Sequence, residues 1–566
     1  MTEDHSTSPE YETDGEYTNH PKQVTLTSLT ETGQDESTIP VLKQRSYTGE
    51  KVIPSALADT LCADLGVEGV LKELNTTLGT SYPLHSVISI LDSYFVQNVD
   101  FGTAYAYLRS YWYDIPTMVN KLSTREEKDW EMRKNVLADG KITKRNVPPR
   151  RVWDLYANRV VPFWVTSLAN DNIKTWAISH AWVDEKDHIY VMTSINGGEW
   201  PVPMPNNTNL HLIRIEMLNE RWLPKHPVEY VWLDVLCLRQ EGGKNEHLRL
   251  EEWKLDVPTI GSVYERAHAQ VVCYFSGLGR PLHLTPDYFD GDRCWFRRAW
   301  TLQEISKYGP IIGGETGEDV VDKKIQQKFD EQLASLQKTR WFSTSILFLV
   351  SEMQNRVSTK SLDKVAGLVY LLRPDSIPIY DAKQSAADAW EVLIDHIRPR
   401  FRVQLLFLYP EPGDGRKLWR PSWRQVMSNR IVVPRFYCEP HQMNSMENSD
   451  FDSYLGYCIE SGYVRGLGEV LNESTPRQGE LVFNDTNGAS HTLKIVADHA
   501  YLIPDGFYTL LGCHDILSGP DRWVVGQSRQ DGRYEKLSIF RSADDEEGYL
   551  YSLTLGEQLK TFLYLF

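Results

Sequence analysis

Three short runs in the middle of the chain constrain it most: TWAISHA (175–181), VEYVWLDVL (228–236) and AQVVCYF (269–275). Each is rich in β-branched and aromatic residues, the composition of strands. The segments between them are long enough for crossovers and carry helical spacing around 247–266 and 294–307. Strands alternating with helices predict an α/β fold built on a mainly parallel sheet with flanking helices.

Those strands occupy a fraction of 566 residues, a length that exceeds the roughly 250–300 residues at which one hydrophobic core stops growing. Several units are expected. Residues 1–45 combine Ser, Thr and acidic residues with few large aliphatics, which predicts a disordered acidic tail. Residues 46–150 show helical spacing, as at Leu57, Leu61 and Leu65, at Val87 and Leu91, and at Tyr105, Leu108 and Trp112, which predicts a helical N-terminal region closed by the basic, proline-bearing stretch KITKRNVPPRR (141–151). The α/β unit is placed at 151–320 and a helical extension at 321–400, where Ile325, Phe329, Leu333 and later Trp390, Leu393, Ile394 and Ile397 recur at helix spacing. Residues 401–566 read as a β-rich C-terminal domain. Two hairpins are expected there, at Asn487-Gly488 and Asp531-Gly532, because these pairs accept the positive φ values of tight turns.

Charge narrows the functional classes. The net charge is −17, of which residues 1–40 carry −8 through nine acidic residues against Lys22 alone. No basic surplus exists for a global grip on nucleic acid or anionic membrane. The first residues have neither a basic nor an apolar stretch, and no apolar run approaches 18 residues, so a cytoplasmic protein without a membrane span is expected. The seven scattered cysteines form no C-x-x-C pair and read as reduced thiols, Cys237 and Cys273 as small buried hydrophobes. H-E-x-x-H, P-loop and G-x-S-x-G motifs are all missing, and no metal site is expected.

Three blocks carry a more specific signal: AISHAW (177–182), YVWLDVLCLRQE (230–241) continuing into IGSVYERAHAQVVCYFSGLG (260–279), and FRRAWTLQEI (296–305). In this order they resemble the HET (heterokaryon incompatibility) domain of filamentous fungi, whose blocks read approximately ALSYCWG, LWIDALCINQ with a trailing IYxxAxxVVVWLG, and RAWTLQE. The third block agrees almost letter for letter. The first departs most, with His180, Ala181 and Val183 in place of Tyr, Cys and Gly. RVSTKSLDKVAGLVYLL (356–372) and RPSW (420–423) resemble segments that follow that domain.

The HET domain is in turn similar to the TIR domain, a flavodoxin-like sheet of immune and cell-death signalling. The likeness rests on Ile178, Ser179 and His180 at the end of a first strand, on Asp234 after a second, and on the Trp-x-x-x-Glu spacing of Trp300 and Glu304 after a third. Residues i and i+4 share a helix face, and ligands of open α/β sheets bind outside the carboxyl ends of the strands, so these groups are expected to converge on one crevice.

By that resemblance Glu304 is the catalytic carboxylate of a reaction that cleaves NAD to nicotinamide and ADP-ribose, with Ser179, His180, Trp182, Asp234 and Trp300 binding the substrate. NAD is then substrate rather than cofactor, and no metal takes part. The implied partner is a second copy of the chain or another incompatibility protein, and the implied setting is a cell-death or nonself response. On residue type alone, Glu304 suits an ion pair with Arg297, Arg298 or Lys307 equally well, Trp182 and Trp300 suit a core, and Asp234 suits a cap. The alternative function is therefore a non-catalytic signalling module of the same fold.

Overall fold

The computed structural model describes residues 20–565 except 97, 167–174, 220–227, 267–269, 306–308, 315–321, 343–344, 430–441, 445–450, 470–475, 486, 514–520 and 544–559. The molecule is mixed α/β, with sixteen α-helices and several sheets among the described residues. At its centre six strands form one mixed sheet: β1 (Arg151–Asp154), β2 (Arg159–Pro162), β3 (Trp176–His180), β4 (Tyr230–Trp232), β5 (Val271–Tyr274) and β6 (Pro310–Ile312). Their order is β6-β5-β3-β4-β1-β2. β3 runs parallel to β4 and β5, and β5 parallel to β6, while β1 joins antiparallel to β4 and β2. Every residue of β3, β4 and β5 is buried, as expected of parallel strands covered on both faces.

The predicted second strand stops early. After Trp232 the chain turns into the helical turn Asp234–Cys237, where the Asp234 carboxylate accepts a hydrogen bond from the Val235 N–H at 2.8 Å. The crossovers between parallel strands include α1 (Leu210–Leu218) on the way from β3 to β4, and α2 (Glu246–Asp256) and α3 (Ile260–Arg266) on the way from β4 to β5.

Between β5 and β6 the helix expected at 294–307 does not form. Two 3₁₀ turns, Trp295–Arg297 and Trp300–Gln303, stand there instead. The extended backbone of Arg298, at φ −80° and ψ 135°, separates the two turns and prevents a continuous α-helix. Its backbone groups pair outside the segment: Val357 N–H donates to Arg297 C=O, and Ala299 N–H to Val357 C=O at 3.0 Å.

The tail also differs from its prediction. Residues 1–19 lie outside the described residues, but Gln23–Thr27 pairs antiparallel with Ser46–Glu50, and the helix Ser28–Thr32 follows with a Thr27/Thr30 capping box. Glu31 is buried in an ion pair with Arg214 of α1, 3.0 Å away. Composition averaged over 45 residues hides this, because three apolar residues, Val24, Leu26 and Ile39, are buried while Leu29 and Val41 stay exposed, and the partner of Glu31 lies 183 positions along the chain.

Helices dominate 55–136, and this region docks on the antiparallel edge of the sheet through Arg109 to Asp154 at 2.8 Å and Arg159 to Asp59 at 2.7 Å. Helices Lys323–Phe342, Ile346–Gln354, Leu362–Val369 and Ala386–His396 follow the sheet, and two more, Pro399–Leu408 and Trp423–Ser428, carry helical structure past the expected boundary at 401. Beyond these, six antiparallel strands (Asp452–Arg465, Arg477–Asn484, Ser490–Ala497, Arg533–Ser542, Arg522–Ser528, Gly506–Cys513) pair in a ring that closes on itself around its own apolar core. Both predicted hairpins are present, with Gly488 at φ 82° and Gly532 at φ 78°. The barrel is tied to the helices by the buried Asp452, which accepts from Lys417 at 2.7 Å and Arg420 at 2.6 Å.

Five cysteines are free and buried, Cys237 and Cys273 among them. Cys438 lies outside the described residues. Cys513 is disulfide-bonded, which corrects its reading as a reduced thiol; spacing along the chain carries no information on the Cα separation that decides pairing. Among the described residues no helix is long and apolar enough to cross a membrane.

Candidate active site

The carboxyl ends of β3 and β4 open into a cavity of about 260 Å³. Five of the six residues singled out from sequence line it: His180, Trp182, Asp234, Trp300 and Glu304. The sixth, Ser179, is buried beneath Glu304 and holds it. The structure therefore brings all six together, from positions spread over 125 residues.

Each is placed by its own element. Ser179 and His180 are the last two residues of β3, and Asp234 starts the turn after β4, so parallel pairing of β3 with β4 brings the two strand ends side by side. His180 Nε2 and Asp234 Oδ1 are 2.9 Å apart. Burial works against charge on both. The carboxylate outweighs it for His180, whose pKa is raised, and the imidazole outweighs it for Asp234, whose pKa is lowered, so the two form an ion pair.

Trp300 and Glu304 reach the cavity by a different route from the one their spacing implies. They are not on one face of an α-helix: Trp300 opens the second 3₁₀ turn and Glu304 follows it at φ −95°, ψ 11°. The Ser179 hydroxyl donates to Glu304 Oε2 at 2.5 Å and itself accepts from the Trp295 indole N–H at 2.8 Å. Burial pushes the Glu304 carboxyl up to about 7, against the pull of the Ser179 hydrogen bond. Neither Arg297 nor Arg298 pairs with it; Arg297 turns to Asp292 at 3.2 Å. Oε1 of Glu304 has no hydrogen-bond partner among the described residues.

Aromatic groups wall the site. The rings of Trp182 and His180 lie 5.8 Å apart, and Trp182 meets His188 edge-on at 5.5 Å. Arg298 stands over Trp182 with 5.9 Å between guanidinium and ring.

Several functional residues were missed from sequence. Trp295 orients Ser179, and its signal was its place in the same aromatic, basic block as Trp300. Asp363 and Tyr380 come from the segment assigned to a helical extension, yet both line the cavity, joined by a 3.0 Å hydrogen bond from the Tyr380 hydroxyl. Burial raises the Asp363 pKa, while Tyr380 and the Trp300 indole bond to its carboxylate. Asp363 sits within the RVSTKSLDKVAGLVYLL segment that resembles the stretch following a HET domain; nothing in the sequence marks Tyr380. Among the described residues no group of three or more His, Cys, Asp or Glu is placed to hold a metal ion. No protein-family model, curated protein or solved structure matches the chain.

Proposed function

We propose that this cavity is an NAD glycohydrolase site in a HET-type domain with a TIR-like, flavodoxin-type sheet, serving a cell-death or nonself response. The strand order supports the fold reading. The first parallel strand in the chain, β3, lies between the second, β4, and the third, β5, with β6 outside, the start of a flavodoxin-like order whose ligands bind where the order reverses.

The observation that carries the chemistry is the state of Glu304: buried, fixed by Ser179, unpaired with any cation among the described residues, and facing a cavity shared with Trp182 and Trp300. Cleavage breaks the bond between the ribosyl carbon and the nicotinamide nitrogen, and the bonding pair neutralises the pyridinium as nicotinamide leaves. The ribosyl carbon gains oxocarbenium character, which a carboxylate at Oε1 stabilises. Water then adds at that carbon and gives up a proton, leaving ADP-ribose. A carboxyl group with a pKa of about 7 is suited to receiving that proton at neutral pH. Trp300 or Trp182 offers a face for the departing ring.

At about 260 Å³ the cavity falls below the ~300–1,000 Å³ typical of sites for drug-sized ligands, so it takes the nicotinamide riboside half of NAD and leaves the adenosine half outside. The test is nicotinamide release from NAD by the full chain and by Glu304→Gln, each at high concentration and artificially clustered. The expected result is a loss of about 10²–10⁴-fold in the variant. Equal release by both, or none by either, rejects the enzyme and leaves the non-catalytic signalling module.

A further inference from the structure

The charges around the cavity are divided in a way that hydrolysis at Glu304 does not use. Three carboxylates face it, and each has a partner: Asp234 has His180, Glu304 has Ser179, and Asp363 has Tyr380 and Trp300. Arg298 shares the cavity with all three and bonds to none. Among the described residues its guanidinium forms no ion pair and no hydrogen bond, only the contact with the Trp182 ring. Lys360, exposed where the cavity opens, is likewise unpaired among the described residues.

Taking a guanidinium out of water without a counter-charge is costly. Its backbone is fixed nonetheless: the Arg298 C=O accepts from Arg356 Nη1 at 2.6 Å, and its N–H donates to Trp295 C=O at 3.2 Å. A cation held in place in a partly dehydrated wall, with its donors unused, is a site prepared for an anion with several acceptor oxygens. Burial and the nearby Arg293 lower the pKa of Arg298, while Glu304, Asp363 and Asp234 oppose them from across the cavity without bonding to it.

We propose that Arg298, with Lys360 at the rim, binds the diphosphate of the substrate, so that the site selects a ligand with a cationic ring on a ribose at the Glu304 end and a diphosphate at the other. The inference rests on the NAD reading and sharpens it: the natural substrate class is the intact dinucleotide, not the nucleoside. Arg298 is a specificity-determining residue here and takes no part in bond breaking.

The test compares NAD with nicotinamide riboside, which carries the same scissile bond and no phosphate, for the full chain, Arg298→Gln and Arg298→Lys. The ratio of kcat/KM for NAD to that for the riboside should fall about 10- to 100-fold in Arg298→Gln, through KM, and recover partly in Arg298→Lys. Equal losses on the two substrates, or none, overturn the proposal. Binding of inorganic pyrophosphate to the same proteins, followed by tryptophan fluorescence, supplies a readout independent of turnover. Pyrophosphate should bind the wild type and fail to bind Arg298→Gln; binding that survives the substitution overturns the proposal. An absence of turnover on both substrates with Arg298-dependent pyrophosphate binding removes the glycohydrolase reading and keeps the anion site.

Discussion

Glu304 shows how burial and charge oppose one another in a single side chain. Its pKa is raised from an ordinary 4.5 to about 7, so the folded protein holds this proton more tightly than the unfolded chain between those values. Stability is then present in full below pH 4.5 and declines as pH rises through about 7, by a quantity on the order of 3 kcal/mol. Glu304→Gln has no such dependence. Denaturant unfolding at pH 5 and pH 8 should find the variant gaining on the wild type toward pH 8, even as it loses activity; a constant gap would contradict the buried, strained carboxylate. His180 offers a second residue-scale check. Burial opposes charge on His180, and Asp234 is the largest of the groups that raise its pKa above the ordinary 6.5, so Asp234→Asn, which leaves only the Ala181 C=O and Glu304 against burial, should lower the His180 titration, followed by NMR of its ring protons. An unchanged titration would mean that Asp234 is not its counter-charge. The His180 shift depends on a partner 54 positions away, and Glu304 is buried against a hydroxyl 125 positions away along the chain. That is why residue types alone left Glu304 and Asp234 with several roles open.

Among the elements, those specified by local rules were legible and those held by distant contacts were not. The two hairpins belong to the first kind. Gly532 has φ 78° with open space around its α-carbon, so Gly532→Ala should cost about 1–2 kcal/mol from backbone strain alone, measurable by chemical denaturation and unaccompanied by any change in the cavity. A neutral substitution would mean that the turn does not require the left-handed conformation. The link between β5 and β6 belongs to the second kind. Its Trp-x-x-x-Glu spacing suggested an α-helix, but the extended Arg298 and the bonds to Arg356 and Val357 hold it as two separate 3₁₀ turns. Trp300 and Glu304 still reach the same cavity because the turn is aimed by that second segment, not because they share a helix face.

For the whole molecule, the α/β unit drawn at 151–320 is too short to make its own site. Asp363 and Tyr380 wall the cavity, and Arg356 donates to Arg298 C=O and to Thr301 Oγ1 at 2.9 Å, bracing the turn that carries Glu304. A 151–320 fragment should therefore release no nicotinamide and lack a cooperative thermal transition. Full activity in that fragment would show that the later helices are dispensable to the site. The sequence by itself determined the strands β3, β4 and β5, the hairpin turns and the six residues that meet at the cavity, because apolar runs, turn chemistry and short motifs act over a few positions. Only the tertiary structure decided that residues 20–45 fold, that the barrel closes, that helices after 320 complete the cavity, and that Arg298 stands there with no ion pair among the described residues. Each of those outcomes depends on which groups meet across long separations, and that is settled by packing rather than by local pattern.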